Sequence, residues 1–348
     1  MVVLPVLSSL RRCASLVPPW QETRPRARRR VGAAPPGRRS WMAPDPGRLA
    51  DGPARRRGGD GGPAMTIIDA HLHVWDTARL DYAWLRDEPH IDRPMGFAEL
   101  AAERKPSPQH VDGLVFVQAD CRPDQAIAEV EWVTSVAADG PIVGIVAFAP
   151  LEDGDAVSAH LDELKEHELV VGVRRLLQSE PVGFSASDGF RTGVRLLAQR
   201  DLTFDACVTH DQIDDVTALA DATPGLRIVL DHLGKPDAAH PESLGAWRSS
   251  LVDLARRSNT TCKISGLPPQ LGDGDWTPAT IRPWLDTALE AFGADRLLFG
   301  SDWPASSGHT TYDRWLDAVL EWSTPLSEDE RESLFSGTAV RTYGLDTP

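Results

Sequence analysis

Residues 66–76 read TIIDAHLHVWD, a short apolar run that stops at an acidic residue and is followed by two histidines with one residue between them. Successive side chains of a β-strand point to opposite faces, so residues two positions apart point the same way. If this stretch is a strand, His71 and His73 direct their imidazoles toward one point. The motif therefore predicts half of a metal-binding site.

A second apolar run that ends on an acidic residue lies far downstream. Residues 297–304 read LLFGSDWP, in which Asp302 follows the run. Apolar β-type runs alternate with helical patterns between the two stretches. The candidate strands are residues 66–70, 113–118, 142–147, 170–174, 203–208, 227–230, 261–265 and 297–300. Helical spacing is found in residues 125–138, 156–167, 190–199, 212–222, 244–257, 278–292 and 310–321.

This alternation predicts a closed barrel. Strands that read as continuous apolar runs are buried on both faces, as in a parallel sheet covered by helices. Eight strand and helix repeats between residues 65 and 348 fit a (β/α)8 TIM barrel, whose usual size is about 250 residues. A doubly wound open sheet is the alternative, but it normally carries a glycine-rich first turn, and the first turn here is HLH.

Charge is distributed unevenly along the chain. Residues 1–64 hold 13 arginines against four acidic residues, a net charge of +9, whereas the remaining residues hold 23 basic and 47 acidic groups, a net charge of −24. The first segment is rich in Pro, Gly and Arg and lacks apolar periodicity, so we expect a disordered leader before a barrel domain at residues 65–348. A transit peptide, a weak signal peptide and a nucleic-acid patch are alternatives. We favour an over-extended start without a role, because Met65 directly begins a self-sufficient domain.

The acidic composition of the domain bounds its partners and location. It disfavours nucleic acid and fits a small-molecule substrate. No run of eighteen apolar residues is present, so no membrane span is predicted. The four cysteines form no CxxC pair, and Cys121, Cys207 and Cys262 are expected to be reduced thiols of a cytoplasmic protein. The oligomeric state is left open.

Candidate functional residues lie at the ends of the predicted strands, where TIM barrels place their catalytic groups. They are His71 and His73 after the first strand, Arg174, Arg175 and Gln178 after the fourth, His210 after the fifth, His232 after the sixth and Asp302 after the eighth. Each residue alone has an ordinary structural interpretation, but their coincidence at matching strand ends favours one shared site. Because Arg174 and Arg175 alternate in facing, we expect at most one of them to enter the mouth of the barrel.

Aromatic residues near these positions are candidates for substrate contact. Residues 75–112, between the first two strands, form a candidate lid that contains Trp75 among other aromatics, whose faces could pack on a sugar or pyrone ring. The alternative is that these aromatics attach the segment to the barrel. Trp303, beside Asp302, is the better candidate for lining the pocket, because the strand determines its position.

Seven motifs occur in order along the chain: DAHLHVWD, VQAD, GVRRLLQ, DACVTHDQI, VLDHLGKP, LLFGSDWP and LFSGTAVRTYGL. In these motifs, from about residue 65 to residue 345, the chain resembles the amidohydrolase-related (amidohydrolase 2) family. It is most similar to the branch of metal-dependent TIM-barrel hydrolases that includes sugar-acid lactonases, such as L-fuconolactonase and L-rhamnonolactonase, and 2-pyrone-4,6-dicarboxylate lactonase.

The resemblance implies a metal centre. Its ligands would be His71, His73, His210 and Asp302, and the sixth-strand histidine of the family would be His232. No lysine closes the fourth strand, so the carboxylated-lysine bridge of binuclear relatives is not expected, and one divalent ion, zinc or manganese, is the most that the site would hold. Some lactonases of this branch are thought to work without metal, so a metal-free mechanism is the alternative.

The residue types are suited to opening a lactone with water. A metal ion makes its bound water acidic enough to supply hydroxide near neutral pH. We expect Asp302 to act as general base and then to protonate the departing ring oxygen, with the metal, His232 and one of Arg174 or Arg175 stabilising the oxyanion. Arg174, Arg175, Gln178, Trp303 and Trp75 are the candidate substrate contacts. Two other classes stay open: a nonoxidative decarboxylase with the same ligands, and a ligand-binding barrel without catalysis.

Overall fold

A computed structural model describes residues 65–105, 110–272 and 275–346; the predictions made for residues 1–64 lie outside the described residues. Eight strands form one sheet in which each strand pairs in parallel with the next along the chain. The strands are β1 (Ile68–Leu72), β2 (Gly113–Val117), β3 (Ile142–Ala147), β4 (Val170–Arg174), β5 (Thr203–Ala206), β6 (Ile228–Leu230), β7 (Thr260–Ile264) and β8 (Leu297–Phe299). The predicted (β/α)8 TIM barrel is confirmed.

A helix follows each strand. The helices are α1 (Phe97–Glu103), α2 (Ala126–Val136), α3 (Ser158–Leu164), α4 (Asp188–Gln199), α5 (Ile213–Ala222), α6 (Leu244–Ala255), α7 (Pro278–Phe292) and α8 (Tyr312–Trp322), with α9 (Glu328–Glu332) and α10 (Thr338–Tyr343) after them. Ser187, Thr277 and Thr311 begin three of them as N-caps, each accepting a hydrogen bond from a backbone N–H of the first turn. Helix α1 was not predicted and lies in the candidate lid.

The barrel closes between β1 and the residues that follow β8. A parallel bridge forms there, in which the backbone N–H of Asp302 donates to the carbonyl of His71 (2.8 Å) and that of His73 donates to the carbonyl of Trp303 (2.7 Å). Gly300 permits this close approach, because a Cβ at that position would lie 2.8 Å from the Cβ of His71. The pairing that closes the barrel therefore passes directly through predicted site residues.

Apolar side chains occupy two layers. One layer lies between the strands and the surrounding helices. The other fills the barrel interior, where Ile68, Val115 and Leu298 pack with Tyr343 and Leu345 from the end of the chain. Each fully buried aliphatic side chain of this kind stabilises the fold by roughly 1.5–3 kcal/mol. Among the described residues, no helix combines the length and the apolar character needed to cross a membrane.

Candidate active site

Two histidines and one aspartate converge at the seam of the barrel, where β1 pairs with the residues that follow β8. The Nε2 atoms of His71 and His73 lie 3.3 Å apart, and Oδ1 of Asp302 lies 3.7 Å from the first and 3.4 Å from the second. All three residues are buried. In a tetrahedral zinc site with metal–nitrogen and metal–oxygen distances of about 2.0–2.1 Å, the ligand atoms are about 3.3 Å from one another. The three atoms are thus spaced as ligands of a single divalent ion would be.

The backbone of β1 is held in place by the carboxylate of Asp69. The parallel register shifts between Asp69 and Leu72, and Oδ1 of Asp69 accepts from the backbone N–H groups of His71 (3.1 Å) and Ser301 (2.9 Å). Burial raises the pKa of Asp69 to about 6. Asp69 therefore joins the two strands at the seam, as a structural acid rather than a ligand.

The ring orientation of His73 follows from one hydrogen bond. Its Nδ1 lies 2.7 Å from the carbonyl oxygen of Val117, at the end of β2. A carbonyl only accepts, so Nδ1 carries the proton and Nε2 keeps a free lone pair that faces His71 and Asp302. Burial lowers the pKa of His73, which favours this neutral form.

Asp302 is presented to the histidines by an unusual backbone conformation. Its φ is +58°, a left-handed geometry that aspartate adopts more readily than most residues. Oδ2 accepts from the Ser306 hydroxyl at 2.7 Å, while Oδ1 faces the histidines, including Nε2 of His232 at 3.9 Å. Burial alone would raise the pKa of Asp302, but His232, His73 and His71 outweigh it and hold that pKa well below its usual range. The group is therefore a carboxylate at neutral pH.

His232 lies in a left-handed turn that follows β6. All four residues 232–235 have positive φ values, and such a conformation costs a non-glycine residue about 1–2 kcal/mol. Nδ1 of His232 lies 2.9 Å from the Ser265 hydroxyl, and burial lowers the pKa of His232 to about 4, so the ring is neutral. Gly266 leaves room for it, because a Cβ there would lie 2.5 Å from Nδ1 of His232.

Of the two arginines at the end of β4, Arg174 faces the site and Arg175 does not. Arg174 is buried, with Nη1 3.4 Å from Nε2 of His71, and its Nη2 donates to the carbonyl of Gln118. Arg175 instead forms ion pairs with Glu152 (2.8 Å) and Glu180 (2.6 Å) beside the barrel. Its guanidinium is satisfied by those acids, so the prediction that Arg175 contacts substrate is not supported by its position.

His210 does not join the predicted ligands. Strand β5 ends at Ala206, and by residue 210 the chain has turned into a short 3₁₀ helix, where the exposed imidazole places Nδ1 3.3 Å from the carbonyl of Lys235. The buried residue directly after β5 is Cys207, whose Sγ lies 3.5 Å from Oε1 of Gln178. Gln178 is half-buried and also accepts from Nζ of Lys235. The structure therefore brings His71, His73 and Asp302 together and leaves His210 apart from them.

The two tryptophans predicted to contact substrate are core residues. Trp75 is 1% exposed, and its Nε1 donates to the carbonyl of Arg93 at 3.0 Å. Trp303 is 2% exposed, and its Nε1 donates to the carboxylate of Glu103 at 2.8 Å. The Trp303 indole thus attaches the segment between β1 and β2 to the barrel, whereas the Trp75 indole joins two parts of that segment.

A buried ionic network beneath His71 was not predicted. Lys263 of β7 is fully buried, with Nζ 2.6 Å from Asp205, 3.0 Å from Asp231 and 3.1 Å from Nδ1 of His71. The Tyr343 hydroxyl donates to Asp205 at 2.7 Å. Burial alone would lower the pKa of Lys263, but the two carboxylates outweigh it and raise that pKa. The sequence signal is a charged residue within an apolar strand, as in TTCKI, because such a charge must be paired.

The chain matches the model of the Amidohydrolase family over residues 68–345 and belongs to that family; it is an enzyme of the hydrolase class. It is 31% identical to an L-fucono-1,5-lactonase of Burkholderia multivorans over 303 residues, which cover 81% of this chain and 97% of that protein. It is 32% identical to an L-fucono-1,5-lactonase of Burkholderia ambifaria over 302 residues, 81% of this chain and 96% of that protein. A crystal structure of a Burkholderia multivorans amidohydrolase with bound zinc superimposes with a TM-score of 0.73 at 31% identity, covering 81% of this chain and all of that one.

Proposed function

We propose that this enzyme opens the ring of a lactone, either a sugar-acid lactone or a related carboxylated lactone, with Asp302 as the general base. The observation that carries the proposal is the convergence of an ionised Asp302 Oδ1, two imidazole Nε2 atoms and the Arg174 guanidinium at one end of the barrel. The lactonases of Burkholderia, at 31% and 32% identity over nearly their whole length, support this class of substrate.

The donor set fits one divalent ion. Two imidazoles and one carboxylate suit zinc or manganese, and three protein ligands leave a position open for water. His71, His73 and Asp302 would hold the ion. A bound ion of this kind supplies a water molecule that is acidic near neutral pH.

We propose that Asp302 moves the proton. Its carboxylate would accept the proton of the attacking water, and the same carboxyl group would then give that proton to the ring oxygen as the ring opens. General acid–base catalysis by one group typically contributes about 10²–10⁴-fold. The hydrogen bond from Ser306 to Oδ2 keeps Oδ1 turned toward the histidines. The pKa of Asp302 lies well below its usual range, so its carboxylate is ionised throughout the neutral range.

Arg174 is the group proposed to stabilise the oxyanion. Its guanidinium donates in a fixed planar geometry, which suits a developing oxyanion or a substrate carboxylate. The half-buried Lys235 and Gln178, which pair with each other, are further polar groups around this side of the mouth. We propose that the neutral imidazole of His232 also stabilises the oxyanion, through the dipole at its ring nitrogen.

The test is a panel of sugar-acid lactones and pyrone carboxylates, followed as proton release at fixed pH with carbon dioxide measured in parallel. Ring opening releases a proton and no gas, which is the expected result. Carbon dioxide evolution, or no turnover across the panel, would move the assignment to a decarboxylase. Measuring bound metal, and activity after chelation, tests separately whether the ion takes part in the reaction. Full activity in metal-free protein would rule out a role for the ion and leave Asp302 as the base.

A further inference from the structure

The peptide group between Gln118 and Ala119, just after β2, is hydrogen-bonded to side chains through both its carbonyl and its N–H. The carbonyl of Gln118 accepts from Nη2 of Arg174. The N–H of the same peptide, which belongs to Ala119, donates to Oε1 of Glu129 at 3.1 Å. The carbonyl of Ala119 accepts from Nε1 of Trp84 at 2.8 Å. The acceptor that orients the Arg174 guanidinium is therefore fixed in turn by a carboxylate.

Glu129 is a buried acid on a helix face that is otherwise apolar. It is 1% exposed and lies on α2 beside the buried residues Ala126, Val130 and Val133. A buried carboxylate is costly unless its oxygens are hydrogen-bonded, and the bond from Ala119 supplies that compensation. Burial raises the pKa of Glu129 to about 7, opposed by the Ala119 N–H, Tyr82 and Arg174. Packing alone gives no reason for an acid at this position.

We propose that Glu129 is a positioning residue for Arg174, acting through the Gln118–Ala119 peptide. Fixing the N–H of that peptide fixes the direction of its carbonyl, because the peptide group is planar. The carbonyl direction sets where Nη2 lies, and the rest of the guanidinium then faces His71. Glu129 does not itself contact the reacting groups. The inference rests on the role proposed for Arg174 in lactone opening.

A double-mutant cycle tests the proposal. Glu129→Leu leaves a buried N–H without an acceptor, and we expect kcat/KM to fall about 30-fold, since small displacements of an oriented group are expensive. Glu129→Gln keeps an oxygen in the same place and should stay within about 3-fold of the parent. In the Arg174→Met background, with spontaneous hydrolysis subtracted, Glu129→Leu should cost less than about 3-fold, because its effect passes through Arg174. An equal loss in both backgrounds, or a Gln variant as poor as the Leu variant, would overturn the proposal.

Thr217→Val is the matched control. Thr217 is a buried residue of α5 whose hydroxyl bonds to the carbonyl of Ile213 in its own helix (3.2 Å). Its replacement perturbs the helix layer without touching the end of β2, so kcat/KM should be unchanged. A loss as large as that of Glu129→Leu would show that general destabilisation, rather than positioning, explains the kinetics, and would overturn the assignment.

A second readout does not depend on turnover. Arginine-selective ¹⁵N labelling gives a guanidinium resonance for Arg174, identified by its disappearance in Arg174→Met. We expect this resonance to shift or broaden in Glu129→Leu and to stay in place in Glu129→Gln and Thr217→Val. An unchanged resonance in Glu129→Leu would refute the positioning role. A shifted resonance in a protein that opens no lactone would refute the proposed function and leave the positioning role intact.

Discussion

Replacing Lys263 with methionine is expected to cause a large loss of stability. Lys263, Asp205 and Asp231 are all fully buried, and the ammonium lies within 3.0 Å of both carboxylates. Removing one partner of a buried ion pair typically costs about 3–5 kcal/mol, because the other charge is left without compensation. Here two carboxylates lose the same cation, so we expect about 4–5 kcal/mol, a large part of the roughly 5–15 kcal/mol that stabilises a domain.

Urea unfolding followed by tryptophan fluorescence measures this loss, since the chain holds 11 tryptophans. At an m-value of about 3 kcal/mol per M, the midpoint should fall by more than about 1 M. The double variant Lys263→Met/Asp205→Asn should recover about 1–3 kcal/mol, because one unpaired charge is removed. Lys165→Met, at an exposed lysine of the helix layer, is the matched control and should leave the midpoint unchanged.

If Lys263→Met lowered the free energy of unfolding by less than about 1 kcal/mol, this reasoning would be refuted. So small a loss is typical of an ammonium in solvent, not of one between buried carboxylates. The pKa of Lys263 is raised above its ordinary value. Its contribution is therefore fully present at neutral pH and is lost as the pH rises through the folded-state pKa. A midpoint difference between parent and variant that already vanished by pH 8 would contradict the same account.

Three further predictions concern the site. Gly266→Ala places a methyl group 2.5 Å from Nδ1 of His232 and 3.1 Å from Oδ2 of Asp302, at a φ of +57°. We therefore expect kcat/KM to fall at least about 10-fold. An unchanged kcat/KM would contradict this close packing. In chelated protein, burial lowers the pKa of His232 to about 4, so unfolded chains bind a proton that folded chains do not between about pH 6.5 and 4. Relative to His232→Gln, the parent should therefore lose roughly 3 kcal/mol of stability as the pH is lowered through that window, because Asp69 and Glu129, whose pKa values burial raises, titrate alike in both proteins. Urea midpoints measure this difference, and a difference that did not change with pH would count against a buried neutral ring. His210→Ala should retain its metal content, measured by atomic absorption, whereas His73→Ala should lose it; equal losses would restore His210 to the ligand set.

The fold could be predicted because its signals are local. Continuous apolar runs predicted all eight strands, and each predicted start and end lies within two residues of the observed one. The spacing of two residues in a strand also sufficed to predict that His71 and His73 point the same way. Asp302 was found for the same reason, since it directly follows a buried run. The seam was not predictable: the backbone bonds from Asp302 to His71 and from His73 to Trp303 depend on which strands become neighbours when the barrel closes.

The predictions for His210 and Trp303 were wrong because residues close together in sequence need not be close together in space. His210 lies four residues beyond the end of β5, far enough for the chain to turn into a new helix. Trp303 was expected in the pocket because it follows Asp302, but its indole is buried and donates to Glu103 of α1. Lys263 carried a usable signal, a cation within an apolar strand, but its partners come from other strands.

Asp302 is the proposed general base for opening a lactone. The most direct test is kcat/KM of Asp302→Asn on the lactone that the parent enzyme opens, with metal content measured in both proteins. Asparagine keeps the size of the side chain and loses its basicity, so the account predicts a fall of at least about 100-fold. Undiminished turnover by Asp302→Asn would contradict the assignment of the base.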